Sequence, residues 1–176
     1  MNVEKGVIDH RVAGYREAAR KSGVKLTQQR LEIFRAIASS LEHPDAEAVF
    51  KSVKKKMPAV SLDTVYRTLW LLKDLGLILT LGPRRETIRF DANLLRHHHF
   101  ICERCGLMRD FESGEFDSIG IPKSAEGFGT VTETHIELRG LCRGCLKEKA
   151  EESAKKKSWK SPGKARRRTW PKKRRS

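Results

Sequence analysis

The only four cysteines of the chain stand at 102, 105, 142 and 145, and each belongs to a Cys-x-x-Cys pair. Thiolates two residues apart on a tight turn can grip one ion, and two such turns complete a tetrahedral zinc site of four sulfurs. In a secreted chain the pattern would instead suit two disulfides, but the N-terminus MNVEKGVIDHR lacks the apolar centre of a secretory signal, which favours zinc. Just before the first pair come His97, His98 and His99. In a strand, 97 and 99 face one way and 98 the other, so the alternating pair forms a two-nitrogen platform, with Asp91 and Asp110 flanking it. A histidine triplet by itself also suits a solvated strand end. Two or three histidines assembled with two aspartates would suit iron, manganese or zinc, and the hard carboxylates disfavour copper(I). Because four thiolates already complete zinc's structural coordination, histidines that bind metal imply a second centre.

The elements that must position these groups differ between the two halves. The first half reads as helices. One covers about 9 to 21, with Val12, Tyr15 and Ala19 on one side; a second follows Thr27 as N-cap, with Leu31, Phe34, Ile37 and Ala38 at helical spacing. A third begins after Asp45 and buries Ala46, Val49, Phe50 and Val53, ending before Pro58. A fourth runs from an N-cap at Ser61 to a stop at Gly76, with Leu62, Val65, Leu69 and Leu72 on one stripe and Asp63, Tyr66, Arg67 and Trp70 opposite. Two strands flanking the turn GPRR come next. This order predicts a winged helix-turn-helix whose last helix enters the DNA major groove, with Ser61, Thr64, Tyr66 and Arg67 facing DNA and Arg84 and Arg85 on the wing near phosphates. The second half turns to strands, HHFIC, LMRDF and GTVTETHIELRGLC, then a short helix from about Gly144. The expected class is α+β: a winged-helix domain over 1–92 and a small α/β domain with a structural zinc over 93–150.

The formal charge of +15 is uneven, since residues 151–176 hold 12 Lys/Arg against 2 Asp/Glu. That segment reads as a disordered basic tail suited to nucleic-acid phosphates. No apolar run nears the length of about 18 residues that spans a bilayer, so a cytoplasmic protein with no membrane partner is expected.

Taken together, LTQQR, HPDAEAVF, SLDTVYRTL, GLI, RFD, HHHFICERCG and GLCRGC, in that order from about Leu26 to Cys145, resemble the ferric uptake regulator family of metal-responsive repressors. The resemblance implies a homodimer on a double-stranded DNA operator, dimerised through its C-terminal domain. It also implies a structural Zn(II) on Cys102, Cys105, Cys142 and Cys145, and a regulatory Fe(II) or Mn(II) on His43, Asp91, His97, His99 and Asp110 at the junction between domains. Asp91 and Asp110 stand where the iron-uptake branch usually carries glutamates, and in this respect the chain resembles the peroxide-sensing branch. There, bound Fe(II) reacts with peroxide, a ligand histidine is oxidised and the repressor leaves its operator. The alternative within the family is an iron-responsive or zinc-responsive uptake regulator. Thr134 stands where many relatives have a histidine, with His135 one residue off and facing the other way, so no accessory metal site is expected there. A hydrolytic metal centre would need an open coordination position and a general base, and no further acid/base constellation supplies them, so no enzyme is expected. A non-specific DNA-coating protein driven by the tail would bind regardless of metal.

Overall fold

A computed structural model describes residues 3–82, 88–131, 134 and 136–159. Four helices come first: α1 (Lys5–Lys21), α2 (Gln28–Ala38), α3 (Ala46–Lys54) and α4 (Leu62–Asp74). Three of them begin at the residues whose side chains can take up an orphan amide. Thr27 accepts from Arg30 N at 3.3 Å, Asp45 from Ala48 N at 2.7 Å and Ser61 from Thr64 N at 3.1 Å. At the far end of α4, Gly76 adopts φ +67, and Leu77 N donates back to Leu72 O at 2.9 Å, which terminates the helix. The helix stripes meet in one core with Tyr15, Phe34, Leu69 and Leu72 buried, closed by Phe90 of the hairpin β1 (Leu79–Leu81) and β2 (Arg89–Asp91). This is the winged helix-turn-helix arrangement. Residues 83–87, which include the Arg84 and Arg85 expected on the wing, lie outside the described residues.

A second sheet holds β4 (Met108–Phe111), β3 (His98–Cys102) and β5 (Glu137–Gly140) in that order, β4 antiparallel and β5 parallel to β3. A parallel neighbour requires a crossover. The chain makes it through two one-turn helices absent from the sequence expectation, α5 (Gly114–Asp117) and α6 (Lys123–Glu126). The strand expected across GTVTETHIELRGLC is four residues long among the described residues, and His135 is outside them.

The end of the chain departs from expectation. Helix α7 runs Arg143–Trp159, nine residues into the segment read as disordered. Charge density concealed a run, LKEKAEESAKKKSW, of strong helix formers with no glycine or proline before Pro162. Tertiary anchors add to it: Arg104 Nη2 lies 2.6 Å from Glu152 Oε1 and 3.5 Å from Glu148 Oε2, tying α7 to the first cysteine turn. Residues 160–176 are outside the described residues.

Candidate metal centres and DNA-facing helix

The first cysteine pair ends β3 and turns at Gly106, whose φ of +69 lets its amide donate to Cys102 O at 2.9 Å. The second pair opens α7. All four sulfurs lie within 4.8 Å of one another, and Cys105 Sγ is 3.8 Å from Cys142 Sγ. A disulfide needs about 2.05 Å. Sulfurs about 2.3 Å from a tetrahedral zinc stand about 3.8 Å apart, so the donor set fits that ion. The thiols are electrostatically unequal. The backbone amide of Cys142, 3.3 Å from Cys102 Sγ, and then that of Cys105 bring the Cys102 thiol down to about 6. Burial first, then the neighbouring sulfurs, push Cys145 up to about 12. Four thiolates cannot coexist at this spacing without a cation to neutralise them.

The second cluster joins His43, Asp91, His97, His99 and Asp110, each with a donor atom within 4.8 Å of the others. Local geometry explains each position. His99 and Asp110 are directly opposed across the β3/β4 ladder, so pairing register alone sets them side by side. His97 precedes β3 and turns its ring to the same side, its Nε2 3.0 Å from His99 Nε2. Its Nδ1–H donates to Leu95 O at 2.7 Å, fixing the tautomer that leaves Nε2 for the cluster. Asp91 closes β2, and Asp91 Oδ2 stands 2.9 Å from His97 Nε2. His43 enters from the loop before α3, its Nε2 2.7 Å from Asp110 Oδ1 and 3.6 Å from Asp91 Oδ2.

Burial argues for an ion here. His43, Asp91, His97 and His99 are all buried, and Asp91 Oδ2 and Asp110 Oδ1 have no donor other than the cluster's own imidazoles. Buried carboxylate oxygens aimed at one point are costly unless a cation, a metal ion or a protonated imidazole, satisfies them. Burial by itself lowers the His43 pKa, yet hydrogen bonds to Asp110 and Asp91 outweigh it and hold the imidazole up at about 9. Burial likewise raises Asp91 and Asp110, but the His43 contact overrides it and keeps both below the usual carboxylate range. The His43 proton thus stands in for a metal's charge.

Asn93 lacked any motif, yet it ties the two carboxylates together. Its N–H donates to Asp91 Oδ1 at 2.7 Å and its side-chain amide to Asp110 Oδ2 at 3.3 Å. The available signal was an Asn two residues after an Asp, a local turn pattern. His98 faces away from the cluster. Ile136 N donates to its Nδ1 at 3.1 Å, so its proton sits on Nε2, 3.3 Å from Asp117 Oδ1. Arg96 pairs with Asp117 at 2.8 Å and donates to Thr134 Oγ1 at 3.2 Å.

On α4, Tyr66 and Arg67 are exposed, and Arg67 Nε pairs with Asp63 Oδ2 at 3.0 Å. Ser61 and Thr64 are engaged with each other, their hydroxyls 2.8 Å apart at the N-cap.

Comparison with known proteins agrees with this architecture. Residues 21–138 match the ferric uptake regulator family. The peroxide-responsive repressor PerR of Staphylococcus epidermidis is 34% identical over 149 residues, spanning 84% of this chain and 99% of that protein. PerR of Staphylococcus aureus strain USA300 is 32% identical over 145 residues, spanning 82% and 98%. Among solved structures, the ferric uptake regulator Fur of Helicobacter pylori superposes with a TM-score of 0.65 at 22% identity, over 83% of this chain and 97% of that one. A zinc-bound manganese uptake regulator gives a TM-score of 0.58 at 29% identity, over 72% and 97%. The Helicobacter likeness bears on fold alone, whereas the family match and the end-to-end relatives bear on descent: this chain belongs to the ferric uptake regulator family.

Proposed function

We propose that the protein is a cytoplasmic, metal-dependent transcriptional repressor that senses peroxide, binding double-stranded operator DNA as a homodimer. In this reading residues 1–92 contact DNA and residues 93–150 dimerise. Cys102, Cys105, Cys142 and Cys145 hold a structural Zn(II). His43, Asp91, His97, His99 and Asp110 hold a regulatory Fe(II) or Mn(II). The observation that carries it is the buried cluster itself, which draws one donor from the loop before α3, one from β2 and three from the β3/β4 region, with aspartate as both carboxylates. An ion gripped by all three segments fixes the angle between the DNA-binding helices and the second sheet, and hence the spacing of two α4 helices in a dimer.

Fe(II), held by His43, Asp91, His97, His99 and Asp110, would supply the redox chemistry that activates hydrogen peroxide. The chain's own residues govern the oxidant's approach and its target. His97 and His99 border a cavity of ≈ 840 Å³, which gives a small oxidant a path to the cluster. Five protein donors would leave room for one further ligand on an ion that takes six. The groups nearest such chemistry would be the imidazoles, where a ring C–H would become C–OH as one hydrogen peroxide is reduced to water, the ring supplying the two electrons of the net reaction and the iron none. The oxidised ring is a poorer donor, so the junction loosens. Operator fragments selected with Mn(II)-loaded protein, then rebound with Fe(II), Mn(II) or Zn(II) before and after brief peroxide, test this reading. Peroxide-insensitive, iron-dependent binding would favour the iron-uptake alternative.

Because His43 holds its proton up to about 9 in the metal-free protein, a metal must displace that proton. Affinity for Mn(II) should therefore rise about tenfold per pH unit between about 7 and 9 and level off above, with about one proton released per ion near pH 7. Calorimetry in two buffers of different ionisation enthalpy measures the proton; no release at pH 7 contradicts it. On α4, Tyr66→Ala or Arg67→Ala should weaken operator binding by about 1–3 kcal/mol where the side chain reads a base edge. Both metal contents should stay intact. Parent-like binding by both variants would place DNA on another surface.

A further inference from the structure

Building on the metal-sensing reading, we infer that Arg109 is a positioning residue that holds His43 in place before the regulatory metal arrives, and so sets the metal concentration at which the protein responds. Among the described residues, His43 is the one non-glycine residue at positive φ, +49. A side-chain-bearing residue keeps that conformation only where its surroundings enforce it, and such outliers gather at functional sites. Here the enforcement comes from two arginines that grip the carbonyls just ahead of it. Arg109 Nη1 donates to Leu41 O at 3.3 Å and to Met108 O at 3.0 Å, and its Nη2 lies 3.7 Å from Glu42 Oε1. Arg89 Nη1 donates to Glu42 O at 3.3 Å. A Cβ on Gly106 would stand 3.2 Å from Arg89 Nη2, so the cysteine turn backs the second arginine closely. On the other side of His43, Phe90 N donates to Pro44 O at 3.1 Å.

The two arginines differ in where they come from. Arg89 and Phe90 belong to β2, which packs against α2, the helix that leads into the His43 loop. Arg109 belongs to β4, the strand that carries Asp110. It therefore links His43 to the far side of the cluster through main-chain carbonyls, independently of any ion. Held this way, the loop presents a donor already in place, and the metal does not bear the cost of ordering it. Arg109 is also a cation one residue from a carboxylate of the site. By charge alone its removal would tighten cation binding; by positioning, its removal weakens it. The two effects have opposite signs, so affinity distinguishes them.

The test compares the parent protein with Arg109→Met, which keeps the apolar stem and removes the donors, using zinc-replete protein titrated with Mn(II). Arg109→Gln takes its place if the methionine variant does not fold. Mn(II) affinity should fall about tenfold to a hundredfold, as for other partners that orient a metal ligand. Zinc content should stay at the parent level, and saturating Mn(II) should restore the parent's operator affinity, which shows a shifted threshold and not a lost function. In the metal-free protein, amide exchange over residues 41–45 should accelerate. In a His43→Ala background the Arg109 substitution should cause no further loss of Mn(II) affinity. Mn(II) affinity that is unchanged or tighter, exchange that does not change, or an equal loss without His43 would each overturn the assignment. A parent that fails to bind Mn(II) at all would overturn the metal-sensing reading and this inference with it, whereas a parent that binds beside an equally competent Arg109→Met overturns the inference alone.

Discussion

Exposed to mild hydrogen peroxide, the Fe(II)-loaded protein is expected to gain one oxygen atom on His43 or His97 and then to release its operator, while the Mn(II)-loaded protein does neither. Both imidazoles have Nε2 at hydrogen-bond distance from one of the two carboxylates that would share the ion, His43 at 2.7 Å from Asp110 Oδ1 and His97 at 2.9 Å from Asp91 Oδ2. An oxidant generated among them would meet these rings first, because every group of the cluster but Asp110 is buried. The four cysteines should be spared at low dose, since zinc has no redox chemistry and a closed thiolate site shields its sulfurs. Peptide mass spectrometry locates the added oxygen. Unmodified histidines with intact DNA binding in the Fe(II) form would sink the peroxide-sensing reading, and cysteine oxidation that precedes loss of binding would point to a thiol switch. Asp110→Glu should blunt the oxidation while metal-dependent operator binding persists. Asp110 is pinned opposite His99 in the ladder and held through Oδ2 by Asn93, so an added methylene must push its oxygens further into the cluster and can close the remaining coordination position.

Replacing Cys102 or Cys142 with serine is expected to release one zinc per chain and to dissociate the dimer. The size of the effect reflects what the cysteine cluster joins. It ties the end of β3 to the first turn of α7 across 36 intervening residues, in a sheet whose β5 is four residues long and largely exposed. Structural zinc contributes about 10–16 kcal/mol in zinc-finger peptides, as much as the whole net stability of a typical domain, about 5–15 kcal/mol. The helical core around Phe34 and Leu69 does not include the cysteines and should remain folded. Metal analysis and sedimentation on both variants provide the measurement. Full zinc with an intact dimer in both would contradict the structural role.

Features coded by local chemistry were legible in the sequence alone. Thr27, Asp45 and Ser61 cap α2, α3 and α4 as their hydroxyl and carboxylate types predict, because a cap needs only a side-chain oxygen and an amide three residues on. The paired cysteine spacing identified the sulfur cluster, and strand alternation separated His97 and His99 from His98, since each depends on a repeat no longer than three residues. Helix α7 beyond residue 150 was missed because a lysine-rich run looks alike in a solvated helix and in a disordered arm; Arg104, more than forty residues away, supplies the anchor.

What the chain could not declare by itself is everything that joins distant segments. His43 carries no local mark of a ligand, and only its resemblance to a family motif placed it with Asp91, which is 48 positions away. Asn93 and Arg109 carry no motif signal of their own, and Arg89, though inside RFD, shows no sign there of its role, because their partners are backbone carbonyls and carboxylate oxygens whose positions exist only once β2 and β4 have docked. Composition and periodicity set which groups can bind a metal and which faces turn inward. The left-handed turn at His43, the two carboxylates buried against the cluster's imidazoles and the arginine grip on the loop ahead of it are decided by tertiary packing, because a strained backbone and a buried charge persist only where neighbours remote in sequence hold them.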